Sequence, residues 1–549
     1  MGYLDAQLGL LRQRVDPATE HEHLAHRELQ VSVESLVYLW LVDRQPDLID
    51  AALRALARLR SQQGPDGLFT TGDNLVSPPD SAFTVNGLCR LLRVLEAHHE
   101  SELAAVRQAA SQIVRSCVDA LVSGGVHTPN HRWEVSCALV QLWHLFGSQA
   151  CLDRANEWLA EGVDLQPDGL FSERSPNYAV HVSGPCLLDM ATLLNRPDLA
   201  DMVHKNLHAT VALVDDRDRV ETIQSRRQDQ HTGFDLAHYG LLYRRVAIAT
   251  GCPICAAMAA RAEAAALFPD VDAVAQCLLD PALSGPLSRG ELGQPPEGWQ
   301  LLETSRLAVW QHQGLRIVCH AASDVASLGR VASGISADPT FAKVDGAGLS
   351  LGLRLSRSFF NLGPFRASRL DLEGQSVTLG ERVESHYYQP LLPAYRHPDG
   401  DYALEFEGRF AAQMAFSKRA EDAVSLTTTV RIRAHGHSVE VEIDTQGAGA
   451  PQVLELAVSG LETLGGVGGD VDLRDARTAI ARGNVSLADG RLVLDIDGAL
   501  DLAYPTVEYN PGEAYRFLGG TDAVQGPRVL IPFRAPARLR LRLLLPTLA

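Results

Sequence analysis

Asn130 and His131 stand side by side in the stretch His127-Thr-Pro-Asn-His-Arg-Trp-Glu134, and Tyr178 closes the stretch Ser172-Glu-Arg-Ser-Pro-Asn-Tyr178. An amide donor beside an imidazole can neutralise a carboxylate, and a phenol held near them can take the proton from the adjacent carbon. On an acidic sugar that is the chemistry of β-elimination, with Tyr178, His131 and Asn130 as its expected carriers. Arg132, Trp133, Glu134, Arg174 and His181 belong to the same polar surroundings and are expected to contact the substrate. A helix cap would account for Asn130 but not for the His131 next to it.

The elements that must hold these residues are helical. Residues 1–280 repeat apolar positions at three- and four-residue spacing, as in Val31 to Leu41, Phe83 to Leu95, Trp133 to Phe146 and Cys186 to Leu194. One internal repeat is visible, Pro65-Asp-Gly-Leu-Phe69 and Pro167-Asp-Gly-Leu-Phe171, in which Pro and Gly suit a tight turn and Leu-Phe can plug a helical layer. Turns recurring at this interval predict paired helices in an α/α toroid. The Asp residues at 66 and 168 occupy equivalent places in the repeat, which favours a structural role for both.

Composition shifts to Pro, Gly, Ser and Glu over 281–299, with Gly293-Gln-Pro-Pro-Glu-Gly298 as the expected linker. Over 300–549 the period changes to two, in stretches such as Val424 to Arg433, Ser438 to Asp444 and Ala537 to Leu545. That alternation predicts half-buried antiparallel strands. The fold class read from these patterns is α+β multidomain, an N-terminal (α/α) toroid over 1–280 followed by a C-terminal antiparallel β-sandwich over 300–549.

A formal net charge of −18 argues against nucleic acid as a partner. A polyanionic substrate then needs a local basic pocket, since exposed charges beyond about 8 Å are screened at physiological salt. Arg226 and Arg227 are candidates for it. No apolar residue interrupts Gln224 to Thr232, and guanidinium forks suit a carboxylate or sulfate, although a solvated charge run is the competing reading.

The nine cysteines are odd in number, irregularly spaced and mostly embedded in apolar segments, as reduced core thiols are. Cys252-Pro-Ile-Cys255 lacks both a second Cys-x-x-Cys and a strand-to-helix setting, so it reads as structural. His21, His23 and His26 are expected at the surface. No apolar run is long enough to span a membrane, and Met1-Gly-Tyr-Leu-Asp-Ala has no basic cluster followed by an apolar stretch. Cytoplasmic residence is the expectation, with secretion open if a signal once preceded this N-terminus.

The helical first half, the alternating second half, Asn130-His131 with Glu134 three residues on, and the downstream Tyr178 together resemble the heparinase II/III-like polysaccharide lyases. The resemblance implies that Asn130 and His131 bind the carboxylate at the cleavage point, that Glu134 supports them, and that Tyr178 moves the proton. It also implies a second proton carrier from the β domain, and a zinc ion that family members often hold in their sandwich. The family's His-x-His-x-Asp pattern is missing here, Val318-Cys-His-Ala-Ala-Ser-Asp324 being a faint echo, so neither feature carries over directly. The substitute is Glu384-Ser-His-Tyr-Tyr-Gln-Pro390, expected to be a loop that offers His386, Tyr387 and, for the proton, Tyr388. His435-Gly-His437 reads as a hairpin turn rather than a metal site.

The function expected is cleavage of uronic-acid-containing poly- or oligosaccharides by β-elimination, leaving a 4,5-unsaturated uronate and using no cofactor. A glycoside hydrolase on the same helical scaffold is the enzymatic alternative, drawing on Asp66, Asp168, Glu134 and Glu173. A non-catalytic carbohydrate-binding protein is the other. Which uronan is cut, whether internally or from an end, and the oligomeric state are not legible.

Overall fold

A computed structural model describes residues 2–545 apart from 19–22, 73, 232, 291–297, 313, 322, 324–337, 409, 437, 488–489 and 504–525. Most of the expected linker, together with His21, Asp324 and His437, lies outside the described residues. The chain divides into two compact units, Met1–Val220 with Phe234–Gln294, and Glu221–Gly233 with Pro295–Ala549.

The first unit is helical, and its helix starts follow from proline. Pro46–Ser61, Pro78–Leu95, Pro129–Phe146, Pro197–Val211 and Pro253–Ala265 all carry Pro in the first turn, where the missing N–H has no partner to lose. Gly147 and Gly251 end two helices in the left-handed conformation. Helices His26–Asp43, Pro78–Leu95 and Pro129–Phe146 are buried on nearly every side through their middles, so they form an inner layer. Pro46–Ser61 and Leu103–Ser116 bury one face only and pack outside them. The last inner helix, Val271–Leu279, packs back against His26–Asp43 and Pro78–Leu95.

The two Pro-Asp-Gly-Leu-Phe stretches fold alike. In each, the Asp carboxylate accepts from the Leu N–H two residues on, at 3.3 Å for Asp66 and 3.4 Å for Asp168. Gly67 and Gly169 both take positive φ, +83° and +91°, and a Cβ on Gly67 would sit 2.0 Å from the Ser116 carbonyl oxygen. Both carboxylates are therefore engaged in turn formation, as the repeat implied.

Charged side chains stitch the inner helices together. Arg90 reaches Asp272 at 2.6 Å and Asp189 at 3.6 Å, and Arg245 and Gln276 both bond Asp189, at 2.8 and 3.0 Å. Burial alone would raise the Asp189 pKa, but Arg245 and Arg90 outweigh it and hold it below the usual carboxylate value.

The second unit is a large, almost wholly antiparallel sheet. From one edge, Arg369–Glu373 is followed by Ser376–Tyr388, Glu421–His435, Ser438–Gly447 and Ala537–Leu544; the far edge runs through Leu349–Arg357, Ala342–Gly346, Leu315–His320 and Leu307–His312 to Trp299–Leu302. Among the described residues a single parallel pairing, Thr478–Leu487 with Arg528–Arg534, interrupts the pattern. One apolar core takes side chains from both ends of this order, Ile317 and Val344 as well as Val377, Val430 and Val441. The sheet therefore bends back to face itself. Glu421–His435 alternates buried and half-buried residues as its sequence period requires, and it pairs antiparallel with Ser438–Gly447, His435 opposite Ser438.

Candidate functional site

The Pro129–Phe146 helix opens at Thr128 and carries Asn130 and His131 in its first turn. Asn130 has no accessible surface. Its Nδ2 donates to Glu173 Oε2 at 2.7 Å, and its backbone N–H reaches the same oxygen at 3.2 Å. A carboxylate at a helix start also meets the positive end of the helix dipole. Glu173 thus ties the stretch that carries Asn130 and His131 to the one that carries Tyr178. The His131 ring is buried, edge-on to Phe83 at 6.5 Å and to the exposed His127 at 4.8 Å.

Past Glu173 the chain turns sharply. Arg174 is buried and held at φ +52°, a left-handed conformation uncommon for a long side chain. Ser175 Oγ accepts the Tyr178 N–H at 3.1 Å and starts a short helical turn, and the Pro176 carbonyl accepts from the Tyr239 hydroxyl at 3.3 Å. Tyr178 is half-buried. Directly after it, Ala179–Ser183 forms a π-helical turn, a local widening found often at functional sites.

That turn presents His181 to a cavity of about 260 Å³ whose wall includes Arg90, His238, Arg245, Phe268, Asp270 and Gln276. His181 is exposed, and its ring packs against His238 at 5.2 Å and Phe234 at 6.1 Å. Burial, then the His238 ring, hold its pKa well below the ordinary imidazole value. Burial and the neighbouring Asp272 raise Asp270 to about 6.

Three expected substrate contacts are corrected, because at about 3.6 residues per turn neighbours in sequence leave the same face. Arg132 pairs with Glu161 at 2.7 Å and lies over the Trp133 ring. Trp133 is wholly buried, its Nε1 donating to Asp164 at 2.9 Å. Glu134 returns to the Asn130 face one turn deeper, where Asn86 Nδ2 donates to it at 2.7 Å and the Cys186 thiol at 3.3 Å. Burial raises the Glu134 pKa, and its place is in the packing of helices rather than on a substrate. His26, expected at the surface, is interior, stacked on Phe69 at 4.7 Å with ring nitrogens 2.7 Å from Thr84 Oγ1 and 2.6 Å from Thr71 Oγ1. His23 is exposed as expected.

Arg226 and Arg227 are half-buried and belong to the second unit. Their segment is anchored by Glu221, whose carboxylate meets Arg316 at 3.0 Å, Lys343 at 2.9 Å, and the Thr222 and Ile223 N–H groups at 2.9 Å each. His386, Tyr387 and Tyr388 are not on a loop: they end the Ser376–Tyr388 strand. His386 pairs with Glu421 at 3.2 Å, Tyr388 packs on Phe416 at 4.7 Å, and Tyr387 points to the other face, exposed beside Phe360. His320 is buried within the Leu315–His320 strand, so the faint echo of the family's metal pattern supplies no ligand set among the described residues.

Sequence reasoning missed His127, His238 and the Arg90–Asp189–Arg245 network. Only the polar residues inside otherwise apolar helices signalled the network.

No protein-family model matches the sequence, and no curated protein matches it. In backbone architecture it is similar to a heparinase III, over 94% of this chain and 76% of that one, with 9% identity and a TM-score of 0.53. It is similar also to the Streptomyces coelicolor chondroitin AC lyase, solved in complex with chondroitin sulphate, over 100% of this chain and 79% of that one, with 14% identity and a TM-score of 0.50. The likeness is one of fold: this chain has the architecture of the heparinase-like polysaccharide lyases.

Proposed function

We propose that this chain is a glycan lyase that cleaves uronic-acid-containing poly- or oligosaccharides by β-elimination. One observation supports the reading: the Asn130–Glu173 hydrogen bonds, which join the stretch that carries His131 to the one that carries Arg174 and Tyr178. The lyase-like architecture supports it.

His131 and Arg174 supply the charge that would neutralise a uronate carboxylate. Withdrawing that negative charge acidifies the C5 hydrogen. Tyr178 then takes the proton, the C4–O bond breaks, and O4 leaves protonated by solvent water, giving the 4,5-unsaturated sugar. With its amide engaged by Glu173 and no surface of its own, Asn130 acts as the positioning group of the joint. The π-helical turn sets His181 as a sugar contact.

The test is ultraviolet absorbance of the unsaturated uronate on a panel of alginate, hyaluronan, heparan and other uronans. Product should accumulate with at least one of them. Folded protein that is silent across the panel refutes the reading, and new reducing ends without absorbance would identify a hydrolase.

A further inference from the structure

The Pro197–Val211 and Pro253–Ala265 helices pack against one another in the first unit. His204 and His208 lie one turn apart on the first, and Cys252 and Cys255 bracket the start of the second. One ligating atom from each of the four falls within 4.8 Å of the others. We propose that His204, His208, Cys252 and Cys255 bind a zinc ion that clamps these two helices together.

The donor set and spacing suit that ion. Two thiolates and two imidazoles match the tetrahedral preference of zinc, and bonds of about 2.3 Å to sulfur and about 2.0 Å to nitrogen put neighbouring ligand atoms about 3.3–3.8 Å apart. His208 Nε2 already stands 3.3 Å from Cys252 Sγ, and the two imidazole rings are 4.6 Å apart at near right angles. The widest separation closes by about 1 Å on binding, a side-chain adjustment.

One buried group of the cluster is unmet. His204 Nε2 is buried with no hydrogen-bond partner, an unfavourable arrangement that a metal bond removes. Cys252 caps its helix, its sulfur accepting the Cys255 N–H at 3.5 Å, and its own N–H donates to Thr250 Oγ1 at 3.2 Å. A redox role for the Cys-x-x-Cys pair would leave both histidines unexplained.

Elemental analysis of the full chain, purified reduced and incubated with zinc before excess metal is removed, should find about one zinc per chain. Cobalt in its place should give thiolate charge-transfer absorption and the visible bands of a tetrahedral site. Cys252→Ser and His208→Asn, both at partly exposed positions, should lose the bound metal while keeping the wild-type circular dichroism. Chelation should lower the wild-type Tm reversibly and leave the variants unmoved. Folded wild-type chain that binds neither metal overturns the proposal, as does full stoichiometry in Cys252→Ser or a Cys252–Cys255 disulfide in the freshly purified chain. None of these readouts depends on lyase activity.

Discussion

Glu173 Oε2 accepts both the side-chain amide of Asn130, at 2.7 Å, and its backbone N–H, at 3.2 Å. The carboxylate therefore does for this helix start what a capping side chain would do, from a different part of the chain. Glu173→Ala strands a buried amide, at a cost of about 1–3 kcal/mol, and frees the turn that carries Arg174 and Tyr178. The expected outcome is a lowered Tm with kcat falling more than KM rises. Glu173→Gln should recover much of the stability, because its amide oxygen can still accept one of the two bonds.

Tyr178→Phe isolates the proton transfer. It removes one hydroxyl from a half-buried ring, so the melt should stay near wild type while kcat falls by about 10²–10⁴. Arg132→Ala is the counterpart. Its guanidinium is occupied by Glu161 and stacked on Trp133, so KM on any cleaved uronan should not change. Equal losses of activity in both variants, measured by unsaturated-uronate absorbance, would undo the assignment of faces on this helix.

The change from helices to strands near residue 300 was legible because periods of 3.6 and 2 leave different apolar patterns. The Pro-Asp-Gly-Leu-Phe turns were legible because their geometry is local. Less visible was anything set by rotation or by distant pairing. Trp133 and Glu134 looked like neighbours of His131 along the chain, yet the helix turns one into the core and the other beneath the site. The 384–388 stretch read as a loop for its polar residues, whereas it pairs with residues 421–425 as the end of a long strand. Cys252-Pro-Ile-Cys255 showed only half of its cluster, since His204 and His208 come from another helix.

Glu34 makes a pH-dependent prediction. Burial raises its carboxyl to about 8, where an unfolded glutamate titrates near ~4.3. Between those values the folded chain holds a proton that the unfolded chain has lost. Stability contributed by this group therefore falls as pH rises from about 4 to about 8, then levels off. Glu34→Gln mimics the neutral acid and keeps an acceptor for the Tyr38 hydroxyl, which lies 3.1 Å from Glu34 Oε1. Melts from pH 5 to 9 should show a decline in the wild type that is shallower in Glu34→Gln; parallel curves would refute it.

Glu221 works in the opposite sense. Burial alone would raise its pKa, but Lys343 and Arg316, with the Ile223 N–H, hold it far below the ordinary carboxylate value. The unfolded chain takes up a proton near ~4.3 that the folded chain refuses, so the stabilisation is complete above that pH and is lost as pH falls below it. Glu221→Gln should cost about 3–5 kcal/mol, because the buried Arg316 keeps its charge and loses its closest partner. The loss should be greatest at neutral pH and shrink toward pH 3, where the wild type itself weakens. Since Glu221 anchors 221–233 to the second unit, limited proteolysis should cut first within that segment in Glu221→Gln and spare it in the wild type. A variant that resists cleavage there, with an unchanged melt, would show that the Arg316–Glu221–Lys343 cluster does not hold the segment in place.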